Sequence, residues 1–565
     1  MCKLCDEGKP QDHDEGKPQD HDEGKPQDHT DSNADSPGGS RRDFLKASAA
    51  LGAGAAGLNL FNAAAARDDD DDDRDHDHDD GPPRHSGRPG RRYVIRGGAV
   101  MSMDPQVGDF VKADVLVEGK KILDVKPNIH AGGAWEIDAR GKIVMPGFVD
   151  THHHQAWTAI RSSIPDSILI DDGTGTPGAQ QNYLGNILLG FAPKYRPQDV
   201  YISELFGGLA QLDNGVTTVH DVSQIHHSPD HSDAAIKALF DTGRRAAFGY
   251  FESAGAAFGI PDNAGNQYPT DATRIKKRWF SSSNQLVHMI MGVEVYLPNY
   301  QLAWDIGRQL NLQLAAHILS PFGMRPILDS LADGTAGNGS LGLRPQDRHL
   351  FIHMTGMSDK GWNRVKEVGA HVSIAFPIEM NMRHGIPPIH KMQQLGIEPS
   401  LSTDVETNMT ADFFTQMRSA MTMQRMVVNE EILASGGYTP PNQWPAPPAG
   451  TLPLLNVRDV LRYATINGAK HLGLDGKTGS LTPGKEADII ILDATHINVF
   501  PVNHVPGAVV QMMERSNVET VIVAGKVRKW KGRLLDVNLR RLRRELENSR
   551  DFIFSEAGVP QNLFR

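Results

Sequence analysis

The feature that most constrains this chain is an apolar run that ends in three consecutive histidines. Residues 144–149 (VMPGFV) have the character of a buried strand, and the histidines occupy positions 152–154. Side chains alternate between the two faces of a strand, so His152 and His154 are expected to point the same way and His153 the other way. Imidazole binds zinc and similar divalent metals. An isolated His-x-His is more often a polar loop, so neighbouring residues must decide.

The residues around this run carry a family resemblance. The motif PGFVDTHHH at 146–154 resembles the first metal-binding strand of the amidohydrolase superfamily. Its continuation, QAWTAIR at 155–161, is similar to the branch that holds the cytosine-deaminase-like and triazine-hydrolase-like enzymes. The resemblance covers residues 93 to 551 or so and implies an α/β fold. That fold is a (β/α)8 TIM-type barrel with a small β-sandwich built from both chain ends.

The resemblance also implies further residues of the metal site at later strand ends, in a set order. His317 ends the run 311–317, His353 ends 350–353, and Asp404 ends 399–404. Any one of these residues has an ordinary structural explanation, but all of them in order make coincidence improbable. We expect one divalent metal ion, zinc with iron as the alternative. The expected ligands are His152, His154, His317 and Asp404.

A second, lysine-bridged metal is not expected. The segments interpreted as strands three and four, 216–219 and 286–297, contain no lysine that could be carboxylated. Glu294 lies in the second segment and could bridge two ions, but a salt link or hydrogen bond is the favoured role.

The predicted chemistry is attack of activated water on an sp² carbon. A bound divalent cation lowers the pKa of water from about 15.7 toward about 7. Asp404 is predicted to act as general base, and His353 to orient or polarise the substrate. The resemblance implies a glutamate three residues after His317, but the chain has Ser320, which cannot shuttle protons. Glu379 is the catalytic candidate to replace it.

Other candidate residues rest on their position in the chain alone. Glu406, beside Asp404, is the alternative to Glu379, and either carboxylate could equally be structural. The remaining candidates are expected to form the substrate pocket; they are Gln155, Trp157, His220 and His384.

The rest of the chain alternates strand-like and helix-like runs, as a parallel barrel requires. Examples are 215–219 followed by a helix over 234–241, and 350–353 followed by a helix over 360–368. Short strand and turn units near 93–146 and 479–526 predict the second domain. A surface helix is expected from 539 to about 549. The predicted organisation is repeats and export signal (1–66), acidic disordered linker (67–92), the amino-terminal half of the β-sandwich (93–146), barrel (147–480), the carboxy-terminal half of the β-sandwich (481–535), and C-terminal helix and tail (536–565).

The amino-terminal region is typical of targeting rather than folding. An octapeptide, DEGKPQDH, occurs three times in tandem and cannot build a core. Arg41 and Arg42, followed by an Ala/Gly-rich segment, predict a twin-arginine signal, hence the export machinery as partner and a periplasmic or extracellular location. The segment is a poor membrane span, so no stable insertion is expected after its removal. Both cysteines, Cys2 and Cys5, precede the predicted cleavage site, which leaves the mature chain without disulfides.

Three functional interpretations remain open. The first is a metal-dependent hydrolase of non-peptide carbon–nitrogen bonds in a cyclic amide or amidine. The second is an aminohydrolase or chlorohydrolase of a heteroaromatic ring. The third is a periplasmic binding protein that kept the metal ligands and lost catalysis. Most of the net charge of −11 lies in residues 1–92, so no basic nucleic-acid footprint is expected. The expected partner is a small-molecule substrate, and a homo-oligomer is left open.

Overall fold

The computed structural model describes residues 81–564 apart from 254, 256–265, 437–444 and 446. The predicted repeats, export signal and residues 67–80 of the linker lie outside the described residues. The strands are, in chain order, β1 (Arg92–Met101), β2 (Asp109–Glu118), β3 (Lys121–Lys126), β4 (Trp135–Asp138), β5 (Lys142–Pro146), β6 (Phe148–His153), β7 (Val216–Ser223), β8 (Arg245–Tyr250), β9 (Val287–Gly292), β10 (Gln313–Ile318), β11 (Leu350–His353), β12 (His371–Ile374), β13 (Ser400–Leu401), β14 (Ile489–Asp493), β15 (Val518–Val523), β16 (Lys526–Trp530) and β17 (Arg533–Leu534).

Strands β6 to β13 form a parallel eight-stranded barrel in sequential order. A parallel bridge between His153 and Asp404 joins its first and last edges. Strands covered on both faces have continuous apolar runs, and every residue of β7, β8, β10 and β11 is buried. The predicted barrel is confirmed.

Helices connect successive barrel strands and cover the outside of the barrel. Their starts follow local sequence rules; for example, Asn456 caps one helix by accepting hydrogen bonds from the backbone N–H groups of Arg458 and Asp459. The α-helices are Pro177–Gln180, Pro197–Asp213, Pro229–Thr242, Ala272–Trp279, Tyr300–Gln309, Met324–Asp333, Asp359–Glu367, Phe376–Asn381, Ile389–Leu395, Phe413–Ala434, Val457–Ala464, Ile466–His471, Val505–Gly507 and Leu539–Glu556.

The second domain is a mixed sheet that both chain ends build. Its order is β17-β16-β15-β14-β5-β1-β2-β3, with β4 paired to β1. Strand β14 lies between β15 and β5, where Ile491 is opposite Val144. The sheet encloses its own apolar core, to which Tyr93 and Val115 contribute from one end of the chain and Ile522 from the other. The predicted pairing of the two ends is therefore observed.

A buried ion pair fastens this sheet to the barrel. Arg245, at the start of β8, donates from Nε to Asp488 at 2.8 Å and from a terminal nitrogen to Glu486 at 2.7 Å. Arg245 is 1% exposed, so the pair is shielded from water. The C-terminal helix Leu539–Glu556 also packs on the barrel, and its Ser549 hydroxyl donates to Asp199. That helix is longer than predicted because its buried residues continue to Ile553.

Two segments of the described chain differ from the sequence interpretation. The segment 216–219, interpreted as the third strand of the barrel, belongs to β7, which is the second barrel strand. The third barrel strand is β8, which begins at Arg245. The short apolar stretch of β8 is too weak a signal to mark a strand in the sequence. Residues 81–91, assigned to the linker, form turns that pack on β16, where the Val527 N–H donates to Ser86. Among the residues described, no helix is both long and apolar enough to cross a membrane.

Candidate active site

The end of β6 presents two histidines to the barrel interior. The rings of His152 and His154 lie 4.7 Å apart, edge to face. His153 faces the other way, where its Nδ1 lies 2.9 Å from the carbonyl oxygen of Asp404. This is the alternation expected of a strand. The turn before β6 is tight: a Cβ on Gly147 would come within 2.2 Å of the Thr217 side chain, so only glycine fits there.

His317 is oriented by a buried carboxylate. It lies near the end of β10, and its Nδ1 is 2.5 Å from Oε1 of Glu294, which follows β9. Burial disfavours a charged ring, but the Glu294 carboxylate more than offsets this and raises the pKa of His317. Glu294 is therefore engaged in a salt link, as the sequence interpretation favoured. A carboxylate on the outer nitrogen is the usual support for a histidine that ligates metal through its other nitrogen.

His353, at the end of β11, has the same kind of support. Its Nδ1 lies 3.0 Å from Oε1 of Glu379, and its Nε2 lies 3.6 Å from Oδ2 of Asp404. Burial lowers the pKa of His353 to about 4, and burial likewise raises the pKa of Glu379 well above its usual range. Glu379 thus positions His353 from behind.

Asp404 follows β13 and faces several of these histidines. Its Oδ1 lies 3.1 Å from Nε2 of His152 and 3.8 Å from Nε2 of His154. His353 and Asp404 both have positive φ, 75° and 61°, which costs non-glycine residues about 1–3 kcal/mol each. At Asp404 two backbone hydrogen bonds to the end of β6 offset this cost. The Asp404 N–H donates to the His152 carbonyl at 2.9 Å, and the Asp404 carbonyl accepts from the His154 N–H at 2.8 Å. Barrel closure therefore holds the carboxylate in place.

The donor set fits a divalent cation. Three triplets of described residues have ligand atoms within 4.8 Å of one another, and two of them contain His152: one with His154 and Asp404, the other with His317 and His353. Burial lowers the pKa of His152 and His154 well below the usual value, which keeps both rings neutral and able to ligate. The outer nitrogen of His154 lies 2.9 Å from the Val222 carbonyl oxygen, which also fixes that ring. Imidazole nitrogens and one carboxylate suit zinc.

A cavity opens over these residues. Its polar lining includes Gln224 and His384 besides the histidines and Asp404, which is the one carboxylate among the described lining residues. The remaining lining is apolar or aromatic, and the rings of Tyr296 and Phe322 stack 5.0 Å apart and nearly parallel. The apolar lining residues are Leu169, Tyr183, Leu188, Tyr296, Leu319, Phe322, Met382 and Val405.

Of the four residues predicted to form the substrate pocket, one lines the cavity and three do not. His384 lines the cavity, with both ring nitrogens lacking a hydrogen-bond partner among the described residues. Gln155 donates to Glu204 behind the barrel strand instead. Trp157 is buried and donates to the Tyr183 hydroxyl at 2.8 Å, so it supports a lining residue. His220 is buried, and its Nδ1 lies 3.0 Å from the Thr151 carbonyl oxygen.

The candidates for the missing proton shuttle also lie apart. Ser320 is exposed and packs against Gly356 rather than lining the cavity. Glu406 pairs with Arg161 at 2.6 Å, which directs its carboxylate away from the cavity. Glu379 is hydrogen-bonded to Nδ1 of His353 and does not line the cavity. No described carboxylate therefore occupies the place of the expected glutamate.

The sequence reasoning missed several residues that line the cavity. Gln224, Tyr183, Tyr296 and Phe322 come from segments outside the barrel strands, and no periodic pattern marks them. Gln224 is the one with a local signal, because it directly follows β7 at the end where active sites lie.

The fold and the site define a class: a (β/α)8 barrel enzyme with its active site at the carboxyl ends of the strands. The amidohydrolase family matches residues 143–528, and the chain belongs to that family. It is a hydrolase that acts on carbon–nitrogen bonds other than peptide bonds, as the first functional interpretation expected.

Relatives agree with this assignment, and solved structures agree with the fold. The chain is 26% identical to the 5'-deoxyadenosine deaminase of Methanosarcina mazei, over 77% of this chain and 92% of that protein. It is 25% identical to a 5-methylthioadenosine/S-adenosylhomocysteine deaminase of Acetivibrio thermocellus, over 69% and 82%. In fold it resembles a zinc-bound adenosine deaminase from Xanthomonas campestris (TM-score 0.64, 20% identity, 84% of this chain and 100% of that one). It also resembles the zinc complex of atrazine chlorohydrolase from Arthrobacter aurescens (TM-score 0.65, 20% identity, 82% and 100%).

Proposed function

We propose that this protein hydrolyses the carbon–nitrogen bond at an sp² ring carbon of a small cyclic amidine or amide. Deamination of a heteroaromatic ring is the specific case that the names of the relatives favour. The observation that carries the proposal is that His154, His317, His353 and Asp404 line one cavity, with His152 within ligand distance of them. A reaction at a ring carbon also suits the lining, whose aromatic and aliphatic side chains match the faces of a flat ring.

A divalent cation would be held by His152, His154, His317 and Asp404, with zinc the expected ion. When bound, it supplies activated water by lowering the pKa of that water toward about 7. Asp404 would accept one proton from the water as the water oxygen bonds to the ring carbon, and it would return that proton to the nitrogen that leaves when the carbon–nitrogen bond breaks. His353, fixed from behind by Glu379, donates to the ring nitrogen or oxygen that gains charge during attack.

The test is a screen of metal-loaded protein against purines, pyrimidines, pterins and triazines. Product mass identifies the bond that breaks, and ammonia release separates deamination from ring opening and from chloride loss. Asp404→Asn is expected to abolish turnover, whereas Ser320→Ala, whose side chain lies outside the cavity, is expected to retain it. Ligand binding without any turnover would reject the proposed reaction.

We infer in addition that the protein is exported by the twin-arginine route. The support is the sequence alone: Arg41-Arg42 followed by an Ala/Gly-rich segment. Changing both arginines to lysine is expected to keep the precursor inside the cell. Fractionation that finds the double variant outside the cytoplasm as efficiently as wild type would reject this inference.

A further inference from the structure

A second set of ligand atoms meets at the opposite oxygen of Asp404. His353, His384 and Asp404 form a third triplet whose ligand atoms lie within 4.8 Å of one another. It shares neither His152 nor His154 with the first site. The structure therefore brings two clusters together at one carboxylate.

The two oxygens of Asp404 face different partners. Oδ1 is directed to His152 at 3.1 Å, whereas Oδ2 is directed to Nε2 of His353 at 3.6 Å. Ligand atoms on one tetrahedral ion with bonds of about 2.0–2.1 Å lie about 3.4 Å apart. The Oδ2 to Nε2 separation matches that spacing, and a carboxylate used in this way bridges two ions, as in two-metal sites about 3.5–4 Å apart.

The two histidines of this triplet are prepared for ligation. The outer nitrogen of His353 is bonded to Glu379 at 3.0 Å, which leaves Nε2 directed at the shared space. His384 is 4% exposed and has no hydrogen-bond partner on either nitrogen among the described residues. An imidazole buried without a partner loses hydrogen bonds to water and gains none, so it needs a ligand.

The backbone around His384 is fixed rather than loose. The Thr355 hydroxyl donates to the His384 carbonyl at 2.7 Å, and the His384 N–H donates to the Glu379 carbonyl at 3.2 Å. The ring meets His353 edge to face, with centroids 4.7 Å apart. The loop after β12 therefore delivers this imidazole to the cavity in a defined position.

We propose that His353, His384 and Asp404 form a second, weaker divalent-cation site that shares Asp404 with the first. The site would take zinc or a similar ion that accepts imidazole nitrogen. It rests on the proposed first site, and it would inhibit the enzyme, because its occupancy engages the Asp404 oxygen and the His353 nitrogen that the proposed reaction uses.

The test is zinc stoichiometry of the full chain by equilibrium dialysis and elemental analysis. Wild type is expected to bind a second ion as free zinc rises, and His384→Asn to bind one ion per chain fewer with the tight site intact. His130→Asn, which removes an exposed histidine of the second domain, is the control and should match wild type. Any zinc that binds to the acidic segment 68–80 is common to all three proteins. The readout is therefore the difference in zinc stoichiometry between each variant and wild type.

Equal stoichiometry in wild type and His384→Asn would overturn the proposal. If His384→Asn does not fold, manganese-loaded wild type decides, since a carboxylate-bridged pair gives an exchange-broadened paramagnetic resonance spectrum and separate ions give a resolved hyperfine pattern. Neither measurement needs a substrate, so failure here is distinct from failure of the proposed reaction. In active protein, excess zinc should lower the rate of wild type relative to its rate at one equivalent; no loss of rate with two ions bound would reject the inhibitory role.

Discussion

Replacing Glu294 with glutamine should weaken the tight metal site without removing a ligand. The Glu294 carboxylate is fully buried and lies 2.5 Å from Nδ1 of His317. Glutamine keeps the side-chain volume and an acceptor oxygen, but it removes the charge that makes the His317 ring a stronger metal ligand. Loss of such an outer partner costs about 10- to 100-fold in metal affinity, or about 1.4–2.7 kcal/mol. Because the contact is short and Glu294 is completely buried, we expect a loss of metal affinity toward the upper end of that range.

The assay is zinc affinity measured by competition with a chelator of known affinity. Glu379→Gln is the matched control, because Glu379 is equally buried and supports His353, which is not a ligand of the first ion. The tight affinity should fall in Glu294→Gln and stay unchanged in Glu379→Gln. A folded Glu294→Gln protein with affinity within about twofold of wild type would refute the assignment of Glu294 as the support of a metal ligand.

Three further outcomes are expected. Arg245→Met should destabilise the fold by about 3–5 kcal/mol in urea unfolding, because it leaves the buried Asp488 carboxylate without its partner; a loss below about 1 kcal/mol would contradict this. Asp347 is buried, which alone would raise its pKa, but its contact with His349 and the hydrogen bonds from Arg308 lower that pKa to about 2 from 3.8. The charged form of Asp347 therefore stabilises the fold fully above about pH 4. In unfolding experiments, the stability advantage of wild type over Asp347→Asn should disappear between pH 4 and 2. A difference in stability that stays constant over this pH range would be inconsistent with this pKa. Removing the metal should lower stability by about 2.7 kcal/mol relative to protein at free zinc 100 times its Kd, as thermal melting with and without chelator can measure; an unchanged melting temperature would argue against a site formed only in the folded state.

The sequence by itself determined the features of the site that depend on local geometry. Alternation along one strand predicted that His152 and His154 share a face and that His153 does not, and the structure has this arrangement. The resemblance to the amidohydrolase superfamily implied that His317 and Asp404, at later strand ends, would join them. The barrel with a second domain was also predicted and is confirmed, because alternating strand and helix patterns and paired chain ends extend over many residues.

Only the tertiary structure decided how these residues are supported and what else surrounds them. The partners of His317 and His353, Glu294 and Glu379, come from other segments, and no spacing in the chain encodes the distances of 2.5 Å and 3.0 Å. Likewise, His384 enters the cavity while Trp157, much closer in sequence to the metal strand, lies behind it. The physical reason is that strand alternation is a property of a few bonded neighbours. Loop convergence, by contrast, depends on closure of the barrel and on side chains that lie from about twenty to about 250 residues apart in the chain.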